Sequence, residues 1–347
     1  MIQHPTNRAV TPYLLAFLAI GCGVAPERAG DVADDDALAI PLAGPASAVP
    51  SAGVSEGILP AYQTERELRE AKADRIDVRA SHAELYGPTR APAGRLRALA
   101  EWEPADGVLI AWAGDLSPFF ADLVLGIGDA STVYVVTPDI RYTGALRDYL
   151  TEEGVPIEGL KFFEYEHEAF WARDYGPWVV ETEDGRPAFI DVGYYPNRHR
   201  DDAIPTLLGN YFGVPTYRPG IEAEGGNFMT NGEGICAVTS WMLEQNGLSR
   251  PGPLADRLRD YMGCDQTVVV QRMDGEGTGH IDMFAKFTSP GVVMVGSYDS
   301  RVEPINAAIL DRAAAKFAGI VRPNGQRLQV VRIPMPSADH PVYRSYT

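Results

Sequence analysis

Short apolar runs alternate with polar segments along the chain from residue 107 to residue 334, and their order predicts strands joined by helices. The first cluster has apolar runs at 107–113, 131–137 and 160–166, with a helical pattern at 141–153. Three later clusters have two runs, a helical pattern and a third run: 177–181, 187–195, 203–211 and 215–219; 228–230, 234–240, 254–262 and 266–272; 282–287, 291–297, 304–318 and 327–334. Each of the four clusters therefore predicts a strand–strand–helix–strand unit.

The fourfold recurrence of one unit predicts an α/β fold with a radial arrangement, because no single unit could bury both faces of its own sheet. A doubly wound parallel sheet is the alternative architecture. It is less favoured because only Thr288, Ser289 and Pro290 separate the runs 282–287 and 291–297. So short a connection predicts an antiparallel hairpin.

The first 22 residues have the pattern of an export signal peptide, with Arg8 followed by an apolar stretch from Tyr13 to Ile20. Eight apolar residues are too few to span a bilayer. The stretch 18–22 resembles a lipoprotein processing site, in which Cys22 would be lipidated and attach the protein to a membrane. A plain secretory signal with an incidental cysteine is an equal alternative. Both predict an exported protein of the cell envelope or the medium.

The next segment predicts a tether. Residues 23–60 are rich in Ala, Gly, Pro, Asp and Ser, so they cannot bury enough apolar surface to offset the entropy of ordering. Residues 61–86 are charged and compatible with a surface helix. We therefore predict a disordered or partly helical tether over 23–94 and one compact domain over 95–347.

Charge restricts the partners of this domain. The chain has 47 acidic and 30 basic residues, a net charge of -17, and 45% hydrophobic residues, which is normal for a packed core. Over most of the surface this charge repels nucleic acid and anionic membranes. A small cationic partner is favoured, and no nucleic acid is expected.

Two motifs carry candidate chemistry. FWARDYGPW at 170–178 places Asp174 between two tryptophans, and GTGHIDMFAKF at 277–287 places His280 two residues before Asp282. In the extended segment that we predict there, His280 and Asp282 point to one face. Each motif alone also has a structural interpretation, as an Asx turn or as a hydrogen-bonded pair beside a glycine-rich turn. No metal-ligand spacing such as H-E-x-x-H accompanies them, so no metal or cofactor is expected.

Four stretches in this order, EWEPADGVLIAW, FWARDYGPW, EGGNFMTNGEG and GTGHIDMFAKF, resemble the agmatine deiminase and Porphyromonas-type peptidylarginine deiminase family. The resemblance extends from about Arg95 to the last residue. It implies a pentein-type α/β propeller of five strand–strand–helix–strand units, of which four are present here. It also implies a hydrolase that converts a guanidinium group to a ureido group with release of ammonia.

The resemblance assigns roles to the residues of both motifs. Asp174 and Asp282 match the two acids that grip the guanidinium, a planar cation with five N–H donors. Trp171 matches a wall beside the cation. His280 matches the general acid and base that protonates departing ammonia and then activates water.

The sequence supports two classes of substrate, protein arginine and agmatine. Arg198 and Arg200, predicted on one side of an extended segment, resemble the place where the peptidylarginine branch holds the carboxylate of a C-terminal arginine. Together with export, this favours protein-arginine deimination to citrulline. Gly277, however, replaces a tyrosine of the peptidylarginine branch and favours agmatine, whose product is N-carbamoylputrescine.

Cysteine positions set a further expectation, because the family mechanism requires a cysteine near the C-terminus. The chain has only Cys22, Cys236 and Cys264. Cys236 lies in an apolar run, and Cys264 follows a predicted helix end and precedes an acidic residue, so both environments disfavour a thiolate. A disulfide between Cys236 and Cys264 stays open. We expect the chain to be C-terminally truncated and to form no ureido product; the alternative is a noncatalytic arginine-binding envelope protein.

Overall fold

A computed structural model describes residues 15–17, 61–64, 66–67, 69, 78–112, 114 and 116–336. The strands are β1 (Leu15–Phe17), β2 (Leu96–Ala98), β3 (Gly107–Ala111), β4 (Thr132–Thr137), β5 (Lys161–Glu164), β6 (Trp178–Thr182), β7 (Pro187–Ile190), β8 (Thr216–Tyr217), β9 (Met229–Thr230), β10 (Ile235–Thr239), β11 (Gln266–Val270), β12 (Ala285–Ser289), β13 (Val292–Ser297) and β14 (Gln329–Pro334). The helices are α1 (Val78–Ser81), α2 (Ala83–Tyr86), α3 (Pro118–Gly128), α4 (Ile140–Glu152), α5 (Ala172–Tyr175), α6 (His199–Phe212), α7 (Trp241–Gln245), α8 (Gly252–Met262) and α9 (Pro304–Ala318).

The described strands form four sheets, and three of them are built from the predicted unit. β6 and β7, β9 and β10, and β12 and β13 are antiparallel pairs. In each unit a helix, α6, α8 or α9, then returns the chain to a strand parallel to the second member of the pair. The hairpin predicted between 282–287 and 291–297 is confirmed by the register that pairs Ala285 with Val295.

The first unit differs from its prediction. β3, β4 and β5 are all parallel, and α3 between β3 and β4 was not predicted. Parallel neighbours require a crossover, which is usually a helix. The local signals are Ser117, whose hydroxyl accepts a hydrogen bond from the Phe120 amide at 3.3 Å, and Pro118 in the first turn. The unit is therefore strand–helix–strand–helix–strand.

The segment around His280 also differs from its prediction. β12 begins only at Ala285, so Asp282 lies in a turn and His280 in the irregular loop before it, and neither is in an extended strand. The amides of Phe284 and Ala285 both donate to the carbonyl of Ile281, at 3.1 and 2.9 Å. Backbone bonds of this kind close a turn and are incompatible with a strand at the same residues.

One apolar cluster connects the first two sheets and holds the helix that bears Asp174. Leu109 and Phe163 of the first sheet pack with Phe189 of the second and with Trp171 and Tyr175 on either end of α5. Burial of each such side chain contributes about 1.5–3 kcal/mol. The short helix that bears Asp174 is therefore held by the core rather than by its own length.

The described part of the predicted tether contacts the domain. The Thr89 amide donates to the Arg218 carbonyl at 2.9 Å, and the Tyr86 hydroxyl donates to the His199 carbonyl at 2.8 Å. Residues 23–60 and Cys22 lie outside the described residues, and of the predicted signal peptide only 15–17 are described, as a strand parallel to β3. The boundary at residue 95 stays a prediction. None of the described helices is long and apolar enough to cross a membrane.

Cys236 and Cys264 form a disulfide with a Cα–Cα distance of 5.7 Å, a pairing that the sequence left open. It connects β10 to the residue that follows α8 and its terminal glycine. Both cysteines are buried. The bond closes a loop whose ends are 28 residues apart.

We expect the double variant Cys236→Ala/Cys264→Ala to lose about 3–4 kcal/mol of unfolding free energy, because a closed loop of this length restricts the unfolded chain. Urea unfolding followed by circular dichroism measures the loss. The wild-type protein in excess dithiothreitol should unfold at nearly the urea concentration of the double variant. A loss below about 1 kcal/mol would mean that the disulfide contributes little beyond the local packing.

Candidate active site

Asp174 is positioned by the one-turn helix α5. The Asp174 amide donates to the Trp171 carbonyl at 2.9 Å, and Pro177 two residues after the helix prevents its extension. The Asp174 side chain is buried, and so is Trp171, whose ring stacks on Phe170 at a centroid distance of 4.3 Å. The motif noticed in the sequence thus presents a buried carboxylate beside stacked aromatic rings.

His280 is positioned by a loop that surrounds the carboxylate of Glu276. That carboxylate accepts hydrogen bonds from the amides of Thr278 (2.8 Å), His280 (3.1 Å) and Gly279. Gly279 has a positive φ of 70° and lies so close to Trp241 that a Cβ atom would overlap the indole. Only glycine fits that position, which turns His280 inward.

The structure brings His280 together with both predicted acids. The Nδ1 atom of His280 lies 4.0 Å from an oxygen of Asp174 and 4.0 Å from an oxygen of Asp282. Its Nε2 atom lies 2.5 Å from an oxygen of Glu224. Three carboxylates therefore surround one imidazole, and the two predicted acids, Asp174 and Asp282, face the same ring nitrogen.

These charges change the protonation of the site. Burial by itself lowers the pKa of His280, but the carboxylate of Asp174, the hydrogen bond and charge of Glu224, and the charge of Asp282 outweigh burial and raise this pKa to about 10. Burial raises the pKa of Asp174 to about 7, with smaller contributions from Glu224 and Asp282. At neutral pH the imidazole is therefore a cation that can donate a proton.

Glu224 contacts His280, and the sequence did not predict this contact. Glu224 precedes a single 3-10 turn, Gly225–Asn227, and Gln245 donates to its second oxygen at 2.9 Å. A Cβ atom on Gly226 would overlap the imidazole ring of His280. The paired glycines in EGGN were the available signal, because they indicate a close backbone approach without naming the group that approaches.

The carboxylates of Asp174 and Asp282 differ in the hydrogen bonds that they already accept. The Oδ2 atom of Asp174 is buried and has no hydrogen-bond partner among the described residues. The Oδ2 atom of Asp282 accepts from Nε of Arg173 at 3.3 Å and lies 3.3 Å from its Nη2. A buried carboxylate oxygen without a partner is costly, so a donor brought by a ligand would be favoured there.

Arg173 joins the site to a partly buried ion-pair network. Its guanidinium contacts Glu101 as well as Asp282, and Glu101 also contacts Lys286. The sequence placed Arg173 beside Asp174 without assigning it a role. In the structure it orients the Asp282 carboxylate, so that the other oxygen faces His280.

Arg198 and Arg200 do not lie in the extended segment that the sequence predicted. α6 begins at His199, so Arg198 immediately precedes the helix and Arg200 lies in its first turn. Arg198 is fully buried and contacts Glu67 at 2.8 Å, whereas Arg200 is 48% exposed and contacts Glu166 at 3.1 Å. The two guanidinium groups therefore have separate partners.

Neither described cysteine offers a thiol. Cys236 and Cys264 are bonded to each other, and Cys22 lies outside the described residues. The described part of the chain also contains no group of three His, Cys, Asp or Glu side chains arranged to hold a metal ion.

The sequence profile of the Porphyromonas-type peptidyl-arginine deiminases matches residues 97–347. A candidate agmatine deiminase of Shewanella baltica is 27% identical over 269 residues, which cover 68% of this chain and 69% of that protein.

Two solved structures share the fold. A candidate arginine deiminase from Porphyromonas gingivalis is 25% identical, with a TM-score of 0.61 and coverage of 73% of this chain and 81% of that one. The agmatine deiminase of Enterococcus faecalis is 20% identical, with a TM-score of 0.61 and coverage of 72% and 74%. The architecture is thus the pentein-type α/β propeller that the sequence resemblance implied.

Proposed function

Because the chain belongs to the Porphyromonas-type peptidyl-arginine deiminase family, whose members are hydrolases acting on C–N bonds, we propose that its site binds the guanidinium group of an agmatine-like compound. The observation that carries this proposal is the convergence of Asp174 and Asp282 on the His280 imidazolium. Two carboxylates that face the same point match a planar cation with several N–H donors.

Agmatine is favoured over a C-terminal arginine by two independent observations. The relative from Shewanella baltica and the solved structure from Enterococcus faecalis carry the name agmatine deiminase. In addition, Arg198 and Arg200 are each paired with a glutamate of the chain itself. A substrate carboxylate would have to displace those partners, and agmatine has no carboxylate.

The chemistry of the site follows from its charges. In the reaction of the family, a thiolate sulfur bonds to the guanidinium carbon, ammonia leaves with a proton, and water then replaces the sulfur to give the ureido product. His280 is protonated at neutral pH and lies between the two gripping acids, so it is placed to donate that proton. The described residues carry the grip and the proton donor, while their two cysteines are bonded to each other.

We therefore expect the 347-residue chain to bind agmatine and to form no ureido product. Isothermal titration calorimetry measures the binding, and a colorimetric ureido assay measures the product. Putrescine, which has the same chain without a guanidinium, is the matched control and should bind at least about tenfold more weakly. Equal affinity for putrescine would contradict the guanidinium site, and ureido product would show that another group supplies the nucleophile.

We also propose export to the cell envelope. The apolar stretch before Cys22 supports this location. The disulfide between Cys236 and Cys264 supports it independently, because such bonds persist mainly outside the reducing cytosol. Mass spectrometry of the mature protein tests the proposal, since an intact N-terminal Met1 would contradict cleavage.

A further inference from the structure

Arg198 has the features of a built anion site. Its side chain is fully buried, and its guanidinium contacts the rings of Tyr194 and Tyr195, with centroid distances of 5.8 and 5.0 Å. A buried cation requires a counter-ion, and a guanidinium binds a carboxylate through two parallel N–H donors. Arg198 satisfies this requirement with Glu67, through its Nε atom at 2.8 Å and its Nη2 atom at 3.1 Å.

The carboxylate comes from a distant segment, residues 61–64 and 66–67, which we name the strap. Glu67 lies 131 residues before Arg198 in sequence. Further bonds attach the strap: the Tyr62 carbonyl accepts from Arg198 at 3.0 Å, Gln63 donates to Asn197 at 2.5 Å, and Asn197 donates to Glu67 at 3.0 Å. Thr64 and Glu67 cap each other, with the Thr64 amide donating to the Glu67 carboxylate at 2.7 Å.

The strap lies next to the candidate active site. The ring of Tyr62 approaches Gly277, three residues before His280, within 3.4 Å of where a Cβ atom would be. The Tyr195 hydroxyl donates to the Ala61 carbonyl at 3.3 Å. Burial, followed by the charge of Glu224, raises the pKa of Tyr195 well above its usual value. Tyr195 therefore lies beside both Arg198 and Glu224, the carboxylate that contacts His280.

We propose that Glu67 is a specificity-determining residue, because its carboxylate occupies the place at Arg198 where the carboxylate of a substrate would otherwise bind. Guanidino compounds that carry a carboxylate, such as arginine, are thereby excluded, and agmatine-like cations are accepted. This inference rests on the proposed function. It adds a physical reason for the substrate class, because the Glu67 carboxylate takes the place of a substrate carboxylate at Arg198.

The test compares the affinities of agmatine and arginine for the full chain by calorimetry. Glu67→Ala is expected to raise arginine affinity relative to agmatine about tenfold or more, because Arg198 gains a free charge-assisted partner site. Glu67→Gln retains the shape of the side chain and should shift the ratio in the same direction if Glu67→Ala unfolds. Glu166→Ala is the matched control, since it removes the exposed partner of Arg200 and should leave the ratio within about twofold.

A second measurement tests the anion site without any guanidino ligand. Acetate should raise the melting temperature of Glu67→Ala but not of the wild type, and Glu67→Ala/Arg198→Met should show no acetate effect. An unchanged agmatine-to-arginine ratio in a protein that still binds agmatine overturns the role of Glu67. An equal shift of this ratio in Glu166→Ala also overturns it, and so does the absence of an acetate effect on the melting temperature of Glu67→Ala. Failure of the wild type to bind agmatine overturns the proposed function instead.

Discussion

Asp174→Asn is expected to weaken agmatine binding about 100-fold or more, because it removes the negative charge of the buried Asp174 carboxylate. Breaking a desolvated, hydrogen-bonded charge pair at a binding site costs about 2–5 kcal/mol, and about 2.8 kcal/mol corresponds to 100-fold in affinity. The Oδ2 atom of Asp174 has no partner among the described residues, so the ligand would supply its hydrogen bond. Calorimetry with agmatine at pH 8 measures the effect.

The control for this variant is Asp184→Asn. Asp184 is 55% exposed and paired with Arg186, so its removal should change neither binding nor folding measurably. Asp174→Asn should remain folded, since asparagine has nearly the same shape and two other carboxylates still face His280. Tight agmatine binding by a folded Asp174→Asn protein would exclude Asp174 from the grip.

The pH dependence of binding follows from the same carboxyl group. Asp174 has a pKa of about 7 in the folded protein, so it loses its charge as the pH falls through 7. Agmatine affinity should therefore fall about tenfold per pH unit below that value and level off above it. His280 stays protonated across this window because its pKa is about 10. The dependence should disappear in Asp174→Asn.

The second large effect is expected for Glu224→Gln, which should lower the unfolding free energy by about 3 kcal/mol at pH 7 because a buried imidazolium loses its closest anion. Nε2 of His280 and Oε2 of Glu224 are 2.5 Å apart, and both side chains are buried. The pKa of His280 should also fall from about 10 towards its ordinary value of 6.5. Urea unfolding measures the stability, and NMR titration of the imidazole measures the pKa.

The sign of the pH effect provides a check. The folded-state pKa of His280 is above the unfolded value, so the stabilisation by Glu224 is complete below pH 6.5 and is lost as the pH rises through about 10. The difference between wild type and Glu224→Gln should therefore narrow above pH 10. Glu222→Gln is the matched control, because Glu222 is 44% exposed and its ion pair with Arg79 contributes about 1 kcal/mol or less. Equal losses in both variants would contradict a specific pair.

Part of the fold could be predicted because its signals are local. The strands of the last three units and their helices follow from apolar periodicity and from turn residues within each segment. α3 was missed because its apolar residues are dense rather than regularly spaced, with Phe119, Phe120, Leu123, Val124 and Leu125 within seven positions. The parallel order of the first sheet depends on the crossover that this helix makes.

The residues of the candidate site were likewise predicted only in part. The motifs predicted Asp174, Asp282 and His280 because each has a local context of aromatic or glycine residues. Glu224 belongs to the stretch EGGNFMTNGEG but received no role from the sequence, because its contact with His280 spans 56 residues. Nothing near Glu67 indicates that it neutralises Arg198.

The sequence by itself determined the repeated units, the family resemblance and the residue types that a guanidinium requires. The tertiary structure alone decided which charges are neutralised and which remain available. A carboxylate keeps an open oxygen, as Asp174 does, or becomes a partner, as Glu67 does, according to which distant cation the fold places beside it. That choice depends on distances of a few ångströms between segments far apart in the chain, and such distances leave no local pattern in the sequence.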